Sequence, residues 1–481
     1  MSEQTVKGAP ARLAFQLYVG IGVAVFLLMM VAGAVLRMAQ GAWIDIPANY
    51  FYQIMTLHGA GMVGTSGLAA AAVMWYFLRR HVDLSTGAFL TMLGLSLVGV
   101  VMILASIGIG GFAAAWTFLY PLPAKSAGLW GPHAAAGYVG GLIFIGVGFL
   151  VFYVDCAIAI IKRYGGLLRG LGIDQLLSGK IDTDHPPTVV ASSMVIIINV
   201  IGIAVGAVVL VMTLVNLYVP SIAIDALLAK NMIFFFGHVF INATIYMAVT
   251  GVYEILPAYT GRPWKISRPF LAAWAAVTLV VMAVYPHHTL MDFVQPKWAL
   301  VLGQVLSYLS GIPVLLVTIW GALANLHRSG VRWELPLRLI VFGLLGWSIG
   351  IIPAIIDGTI RVNYVMHNTL WVPGHFHLYL LLGLLPMLLG IMYFAATRAN
   401  WQESVADRLM FWIYGVAGLV FCLFLLLGGS SSVPRRFAVH AQEWLMLTQI
   451  GAVAAVLVLL ASLYLGIKLL RRLPHLQVGG A

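Results

Sequence analysis

Long apolar stretches separated by short polar intervals recur along the whole chain. A helix needs about 20 mostly apolar residues to cross a bilayer, and twelve stretches reach that length. They lie at about 13–38, 52–78, 86–111, 134–162, 188–217, 228–257, 268–286, 298–326, 334–357, 366–396, 406–427 and 444–470, with ends uncertain by several residues. The pattern therefore predicts an all-α membrane protein with twelve transmembrane helices.

The composition supports a membrane protein with one domain. Of the 481 residues, 62% are hydrophobic and 9% are charged, whereas soluble proteins are about 25% charged. The longest polar interval, Arg163–Pro187, is not a Pro/Ser-rich linker, so we predict a single polytopic domain over residues 1–481. The first stretch lacks a small-residue cleavage site and is interpreted as a retained helix. Cys156 and Cys422 fall inside apolar stretches and are predicted to be buried free thiols.

The net charge of +11 follows the membrane rather than a nucleic-acid surface. If the N-terminus is cytoplasmic, 19 of the 26 Lys and Arg residues fall on the cytoplasmic side. This is the asymmetry of the positive-inside rule. We therefore predict that both termini are cytoplasmic and that the lipid bilayer, not nucleic acid, is the surrounding partner.

Six histidines are predicted at one depth in the outer half of the membrane. They come from the second, sixth, seventh and tenth stretches: His58, His238, His287, His288, His375 and His377. A lone intramembrane histidine is more often a hydrogen-bonded packing residue than a ligand. Six at one level favour metal binding instead, because neutral imidazole is a common ligand of iron and copper.

The spacing of these histidines adds detail. On a helix, His375 and His377 point about 200° apart, so one helix could serve two different cofactors. His287 and His288 are about 100° apart on a regular helix. They suit one metal only if the backbone is distorted, and Pro286 can cause that distortion.

Five motifs in the chain resemble the catalytic subunit of the haem–copper oxidase superfamily. They are LHGAGM at His58, GHVFIN at His238, YPHH at His287, HNTLWVPGHFH ending at His377, and VPRR at Arg435. They occur in the family's order and span the chain from the first to the twelfth helix. The resemblance is strongest to the B-type oxidases and their nitric oxide reductase relatives, and it implies the twelve-helix subunit I fold in a bacterial or archaeal plasma membrane.

The resemblance implies a role for each of these residues. His58 and His377 would be the axial ligands of a low-spin haem b, and His375 the proximal ligand of a high-spin, b3-like haem. His238, His287 and His288 would hold a second metal, either a non-haem iron (FeB) or a copper (CuB). Arg435, Arg436 and His367 would lie at the haem propionates, although the two arginines also fit an ordinary solvated loop.

Asn242 departs from the oxidase pattern and carries the functional prediction. It follows His238 by one helical turn, on the same helix face. In most oxygen-reducing members of the resembling branch this position is a tyrosine that gives an electron and a proton. In the better-known nitric oxide reductases it is a glutamate that ligates iron. Asparagine offers only a carbonyl acceptor and an amide donor, so we place Asn242 at the catalytic site and as a possible metal ligand.

A tyrosine elsewhere could substitute for the missing one. Tyr246 lies about 12 Å along the helix from His238, Tyr253 lies further, and Tyr285 points away unless Pro286 bends the chain strongly. These positions make a relocated tyrosine the weaker interpretation.

Proton supply gives a second argument for the same function. In the family's cytoplasmic proton path, hydroxyl residues are expected where this chain has Val314 and Val317, and valine offers no hydrogen-bonding group. Tyr253 alone does not make a path. We expect protons from the outer side near Asp357 and Arg361, with a capping or salt-bridging role as the alternative for Asp357.

These features predict the catalytic subunit of a nitric oxide reductase. The alternative is a B-type terminal oxidase that reduces O2 to water at a haem–CuB centre; a non-catalytic haem carrier or a transporter would need neither an open haem nor a three-histidine site. The chain has no CxxCH motif, so we expect an outward-facing electron donor with a copper or cytochrome domain.

Overall fold

The computed structural model describes residues 3–115, 126–397 and 401–476, except for the side chains of residues 3–8. This part of the chain contains twelve helices long and apolar enough to cross a membrane. They are α1 (Ala9–Gln40), α2 (Ala48–Leu78), α3 (Thr86–Gly108), α4 (Pro132–Tyr164), α5 (Pro187–Tyr218), α6 (Ala226–Thr260), α7 (Arg268–Thr289), α8 (Lys297–Leu326), α9 (Leu335–Asp357), α10 (Trp371–Thr397), α11 (Val405–Ser430) and α12 (Gln442–Leu470).

The twelve predicted spans are confirmed, and the described residues contain no β-strand, only one isolated β-bridge. Cys156 and Cys422 are buried and free, as expected. The terminal residues Met1 and Ala481, whose side of the membrane the sequence predicts, lie outside the described part of the chain.

Local side chains define the helix ends. Ser85 precedes α3 and accepts a hydrogen bond from the Ala88 amide at 3.1 Å, and Asp225 precedes α6 and accepts one from Leu228 at 2.7 Å. Both satisfy amides that have no partner within the helix. At the other end, α4 stops at Gly165 with φ +79°, a conformation that costs glycine little.

The most enclosed helix is α10, which carries two of the six histidines. In its most apolar stretch 94% of the residues are buried, against 17% for α8 at the rim of the bundle. Close packing elsewhere depends on small residues: a Cβ on Gly141 of α4 would lie 2.6 Å from the Gly99 carbonyl oxygen of α3. Small residues permit such approaches between membrane helices.

Three of the described helices depart from regular α geometry. Only one of these departures was predicted from the sequence. α7 ends in a 3-10 turn, Tyr285–Thr289, as the Pro286 argument predicted. α8 is broken between Lys297–Leu309 and Ile312–Leu326, because the Pro313 ring clashes with the carbonyl four residues earlier. α10 contains a π-helix, Leu378–Leu384, that starts directly after His377.

Two loops are joined at one end of the bundle. We call this end of the bundle the histidine end. It comprises the loops 41–47, 290–296, 358–370 and 431–441. Thr369 and Pro434 form an antiparallel bridge, the Leu370 amide donates to Val433 O at 2.9 Å, and the Arg435 amide donates to Asn368 O at 2.9 Å. The start of α10 and the arginine loop therefore form one unit.

At the opposite end of the bundle, one buried carboxylate forms an ion pair and several hydrogen bonds. Asp407 in the first turn of α11 is fully buried, and its carboxylate accepts hydrogen bonds from Lys468 of α12 at 2.5 Å, Tyr464 at 3.1 Å and Trp401 at 3.2 Å. It also caps α11 through the Ser404 amide at 2.9 Å. One carboxylate therefore joins two helices and a loop.

Removing this carboxylate should destabilise the bundle. Asp407→Ala leaves Lys468, Tyr464 and Trp401 without their common acceptor, and leaving such a buried hydrogen-bonding group unsatisfied costs about 1–3 kcal/mol. We expect a clearly lower thermal unfolding midpoint for the variant in detergent. Exposed Asp83→Ala is the control, and equal midpoints for the two variants would contradict this role.

Candidate metal centre

His58 and His377 face each other across α2 and α10. Their rings are parallel within 12°, with centroids 6.5 Å apart. His58 Nδ1 donates to Met29 O at 2.8 Å, and His377 Nδ1 donates to Pro373 O at 2.7 Å. Each ring therefore keeps Nε2 for a ligand. Metal–imidazole bonds are about 2.0–2.1 Å long, and the gap between the rings accommodates one ion.

A glycine lets α1 pack against this pair. A Cβ on Gly33 would lie 2.7 Å from Cε1 of His58, which no real side chain tolerates without a shift. The His58 ring is thereby held between the α1 backbone and the space in front of His377. Phe421 of α11 closes the other side, with its ring 5.3 Å from that of His377.

His238, His287 and His288 form a second cluster. One nitrogen from each ring lies within 4.8 Å of the other two, and the ring centroids are 4.2–5.5 Å apart. The two adjacent histidines lie in the 3-10 turn that ends α7, and the rings of both approach the His238 ring. Three convergent imidazoles suit a divalent iron or copper ion.

Neighbouring groups fix the orientation of two of these rings. His287 Nδ1 donates to Ser307 Oγ at 2.7 Å, and Ser307 donates onward to Gly303 O at 2.7 Å. Because the serine hydroxyl gives its proton to that carbonyl, it accepts from His287, and Nε2 remains for the metal. Phe234 stacks on His288 at 5.1 Å with 7° between the rings.

Asn242 lies against His238, as its four-residue spacing predicts. Its amide Nδ2 donates to the His238 carbonyl oxygen at 2.8 Å and lies 3.4 Å from His238 Nε2. The nitrogen is engaged by the helix backbone, so the carbonyl Oδ1 is the atom left for a metal or a bound oxygen atom.

His375 has surroundings different from those of His377, as their predicted orientation requires. Its Nδ1 lies 3.9 Å from Asp357 Oδ2, and its ring centroid is 6.3 Å from that of Tyr379. It also interacts electrostatically with His287 and His288. Arg361, paired with Asp357 in the sequence argument, is exposed instead.

Positive charge is concentrated beside these rings in the loops of the histidine end. Burial lowers the pKa of Arg435 to about 10, with Arg436 adding to the effect and Asp357 opposing it. Burial lowers the pKa of His367 to about 4, and Arg435, Lys230 and Arg436 lower it further. Arg436 adopts φ +68°. The two arginines are therefore partly buried cations that favour an anion, and their predicted place at the propionates stays a prediction beside the solvated-loop alternative.

The tyrosines considered as substitutes contact other side chains. Tyr246 packs its ring against Trp274 and Trp347, and Tyr285 packs against Phe235. The expectation that Tyr253 stands alone is wrong: its hydroxyl shares a 2.8 Å hydrogen bond with Thr318. The proton-path prediction took in Val314 and Val317 but not Thr318, which directly follows Val317.

Two further polar residues near His377 were missed by the sequence argument. Arg37 is buried in α1, where Nη1 donates to Gln40 Oε1 at 2.9 Å, and it interacts electrostatically with His377 and His440. His440 Nδ1 donates to Thr448 Oγ1 at 2.7 Å. Arg37 Nε and His440 Nε2 are buried without a hydrogen-bond partner among the described residues. Arg37 could have been found from the sequence, because an arginine inside an apolar stretch is rare and is commonly functional.

These histidines define a class of protein. It is a polytopic membrane protein in which a paired-imidazole site and a three-imidazole site lie side by side. The chain belongs to the Cytochrome C and Quinol oxidase polypeptide I family, whose model matches residues 14–457. The resemblance predicted from the five motifs is thus confirmed.

Individual relatives are distant. Cytochrome c oxidase subunit 1 of Thermus thermophilus is 24% identical over 80% of this chain and 69% of its own length. The Probable quinol oxidase subunit 1 of Staphylococcus haemolyticus is 22% identical over 92% and 68%. The Heme-copper oxidase subunit I+III of Aeropyrum pernix is 24% identical over 48% of this chain but only 28% of its own length. A cryo-EM structure of a heme-copper terminal oxidase dimer shares the fold, with a TM-score of 0.74 at 17% identity over 96% of this chain and 84% of that one.

Members of this family are oxidoreductase subunits that bind haems and a copper or other metal centre. The residues present fit those groups. Two parallel rings keep their Nε2 atoms for one ion, three further imidazole nitrogens converge, and His375 Nδ1, Arg37 Nε and His440 Nε2 are buried polar atoms without partners in the described structure. The comparisons name oxidases, so the nitric oxide reductase prediction remains a prediction.

Ser307 should control metal loading through His287. Ser307→Ala removes the acceptor of the Nδ1 proton, and loss of such a partner lowers metal affinity about 10- to 100-fold. We expect less non-haem metal per haem by elemental analysis after dialysis against a weak chelator. Ser310→Ala, three residues further along the chain, is the control. Unchanged metal retention in Ser307→Ala would contradict this role.

The two histidines of α10 should be separable by spectroscopy. His375→Ala should remove the high-spin haem signal and keep the low-spin one, because His58 and His377 remain. His377→Ala should instead disturb the low-spin signal. The absorption and EPR spectra of the two purified variants distinguish these results, and the opposite outcome would mean that the two residues have been assigned the wrong way round.

Proposed function

We propose that this chain is the catalytic subunit of a nitric oxide reductase, which converts two NO, two protons and two electrons into N2O and water. The observation that carries the proposal is Asn242 in contact with His238 where an oxidase would have its redox-active tyrosine. An amide side chain holds no ionisable proton and gives no electron. It suits a two-electron coupling better than cleavage of dioxygen.

In this proposal the six histidines hold three groups. His58 and His377 bind a low-spin haem b, His375 binds a high-spin b3-like haem, and His238, His287 and His288 bind FeB, with Asn242 Oδ1 as a further ligand. When bound, these groups carry the electrons and the open metal positions at which NO is reduced. Arg435, Arg436 and His367 bind the propionates.

The protein's own contribution is to fix ring orientation and to restrict water. Carbonyl and hydroxyl acceptors hold Nδ1 of His58, His377 and His287, so each Nε2 is presented in one direction. Phe234 covers one face of His288. Asn242 Nδ2 is held on its helix backbone, which keeps the side-chain oxygen oriented next to His238.

The charge distribution supports a membrane orientation and a partner. With the Lys and Arg majority on the cytoplasmic side, the histidine end faces outward. An outward-facing subunit with a copper or cytochrome domain would then deliver electrons. We place the enzyme in a bacterial or archaeal plasma membrane, with one polytopic domain over residues 1–481 and cytoplasmic termini.

The second candidate is a B-type terminal oxidase with copper at the three-histidine site. Two observations favour it: the named relatives are oxidases, and the Tyr253–Thr318 pair supplies two linked hydroxyls on α6 and α8. No described tyrosine contact reaches His238, however, because Tyr246, Tyr253 and Tyr285 pack elsewhere.

Turnover with each gas distinguishes the two functions. With excess reductant, the purified complex should consume NO much faster than O2, produce N2O, and contain one non-haem iron for every two haems. Slow O2 turnover should release peroxide. Brisk reduction of O2 to water, absence of NO turnover and one copper per two haems would together overturn the proposal.

Substitution of Asn242 tests its role separately. Asn242→Asp keeps the size and the oxygen ligand, so we expect iron binding and measurable NO reduction. Asn242→Leu removes both polar groups; an unsatisfied buried partner costs about 1–3 kcal/mol, which is roughly one to two decades in rate. Exposed Asn49→Leu is the control, and full activity in Asn242→Leu would remove this residue from the mechanism.

A further inference from the structure

One histidine of the site has a buried ring nitrogen that lacks a partner in the described part of the chain: Nδ1 of His375. His58 and His377 donate Nδ1–H to backbone carbonyls, and His287 donates to a serine. His375 Nδ1 is buried and has no hydrogen-bond partner among the described residues. A metal bound at Nε2 leaves a proton on Nδ1, so this atom requires an acceptor.

Asp357 is positioned to be that acceptor. It is the last residue of α9, and its Oδ2 lies 3.9 Å from His375 Nδ1, about 1 Å beyond a hydrogen bond. Its other oxygen is already held: Asn363 Nδ2 donates to Asp357 Oδ1 at 3.2 Å and to Asp357 O at 2.8 Å. A small movement of the Asp357 side chain would bring Oδ2 within hydrogen-bond distance of the ring. Asn363 would still hold the backbone carbonyl of Asp357.

Arg435 lies near this carboxylate, but its side-chain hydrogen bond goes to another residue. Arg435 interacts electrostatically with Asp357 and with His375, but its side-chain hydrogen bond goes from Nη2 to Asn368 Oδ1 at 3.3 Å. Arg435 therefore adds positive charge beside the carboxylate, whose Oδ2 lies 3.9 Å from His375 Nδ1.

We propose that Asp357 is a positioning residue for His375, accepting its Nδ1–H and making the imidazole a more electron-rich axial ligand. This inference rests on the proposed assignment of His375 to the high-spin haem. Carboxylate–histidine–metal arrangements fix the ring and raise ligand basicity. His58 and His377 have neutral carbonyl acceptors. The proposed ligand of the high-spin haem would thus have an anionic acceptor, and the proposed ligands of the low-spin haem have neutral ones.

This asymmetry has a consequence for electron distribution. A more basic proximal ligand stabilises the oxidised iron and strengthens the axial bond, which lowers the reduction potential of the high-spin haem relative to a site with a neutral acceptor. The sequence predicted a proton route near Asp357 and Arg361, with a capping or salt-bridging role for Asp357 as the alternative. The present proposal gives Asp357 an electronic and orienting role.

The first experiment changes the acceptor and reads the axial bond. In Asp357→Asn, resonance Raman of the reduced complex should show the iron–histidine stretch at lower frequency, the high-spin midpoint potential should rise, and turnover should fall about 10- to 100-fold. The low-spin haem spectrum should not change. Asp357→Glu should restore the frequency towards that of the native enzyme, and exposed Asp45→Asn is the charge-matched control.

A native stretch in Asp357→Asn with the high-spin haem bound would overturn the proposal. If that variant fails to retain the haem, Asn363→Ala is used instead, because it keeps the carboxylate but releases Oδ1. A shifted or broadened stretch then supports the proposal, and an unchanged one overturns it.

A second experiment isolates the N–H donor. His375→Gly, with and without Asp357→Asn, is supplied with imidazole or with 1-methylimidazole, which has no N–H. The imidazole complex should differ between the two backgrounds, while the 1-methylimidazole complex should be the same in both. Identical imidazole complexes would overturn the role of Asp357.

The same variants distinguish this proposal from the assignments beneath it. If His375→Gly keeps the native iron–histidine stretch without added ligand, His375 is not the proximal residue and the inference fails with that assignment. If the enzyme prefers O2 to NO but the Asp357 shifts are observed, the proposed function fails and the inference on Asp357 stands.

Discussion

The whole site depends on how a water-poor helix bundle satisfies an imidazole with two nitrogens. One nitrogen must find a partner in the protein, because an unsatisfied buried polar atom is costly, and this partner decides where the other nitrogen points. Met29 O, Pro373 O and Ser307 Oγ perform this task for His58, His377 and His287. The rest of the architecture can be understood as the means of bringing those acceptors to those rings.

Irregular backbone is the main means. Two adjacent histidines lie in the 3-10 turn that ends α7, and the π-helix begins where the His375–His377 pair ends. The break in α8 follows Ser307 by a few residues. Such departures weaken helical hydrogen bonding. The ion pair between the buried Asp407 carboxylate and Lys468 lies at the other end of the bundle, away from these irregular segments.

Much of this was available from the sequence, and what was missed has a physical pattern. Apolar periodicity gave the twelve spans, and two-residue spacing separated His375 from His377. Proline chemistry explained the distortion at His287. Residues such as Ser307, Thr318 and Arg37 were missed because their roles depend on contacts across helices, with partners 20, 65 and 403 positions away. Single-sequence periodicity carries no information about which helix faces meet.

Function is decided by fewer residues than the fold. A TM-score of 0.74 at 17% identity means that the helix arrangement persists while most side chains differ, so the fold alone does not choose between reactions on the same histidine framework. In the proposed assignment, the choice depends on the side chain next to His238, because Asn242 supplies neither an electron nor a proton there. Asp357 behind His375 would make that imidazole more electron-rich, and an electron-rich ligand by itself favours O–O cleavage. The two side chains therefore act in opposite directions, and the absence of a tyrosine next to His238 is what favours coupling of two small ligands over cleavage of dioxygen.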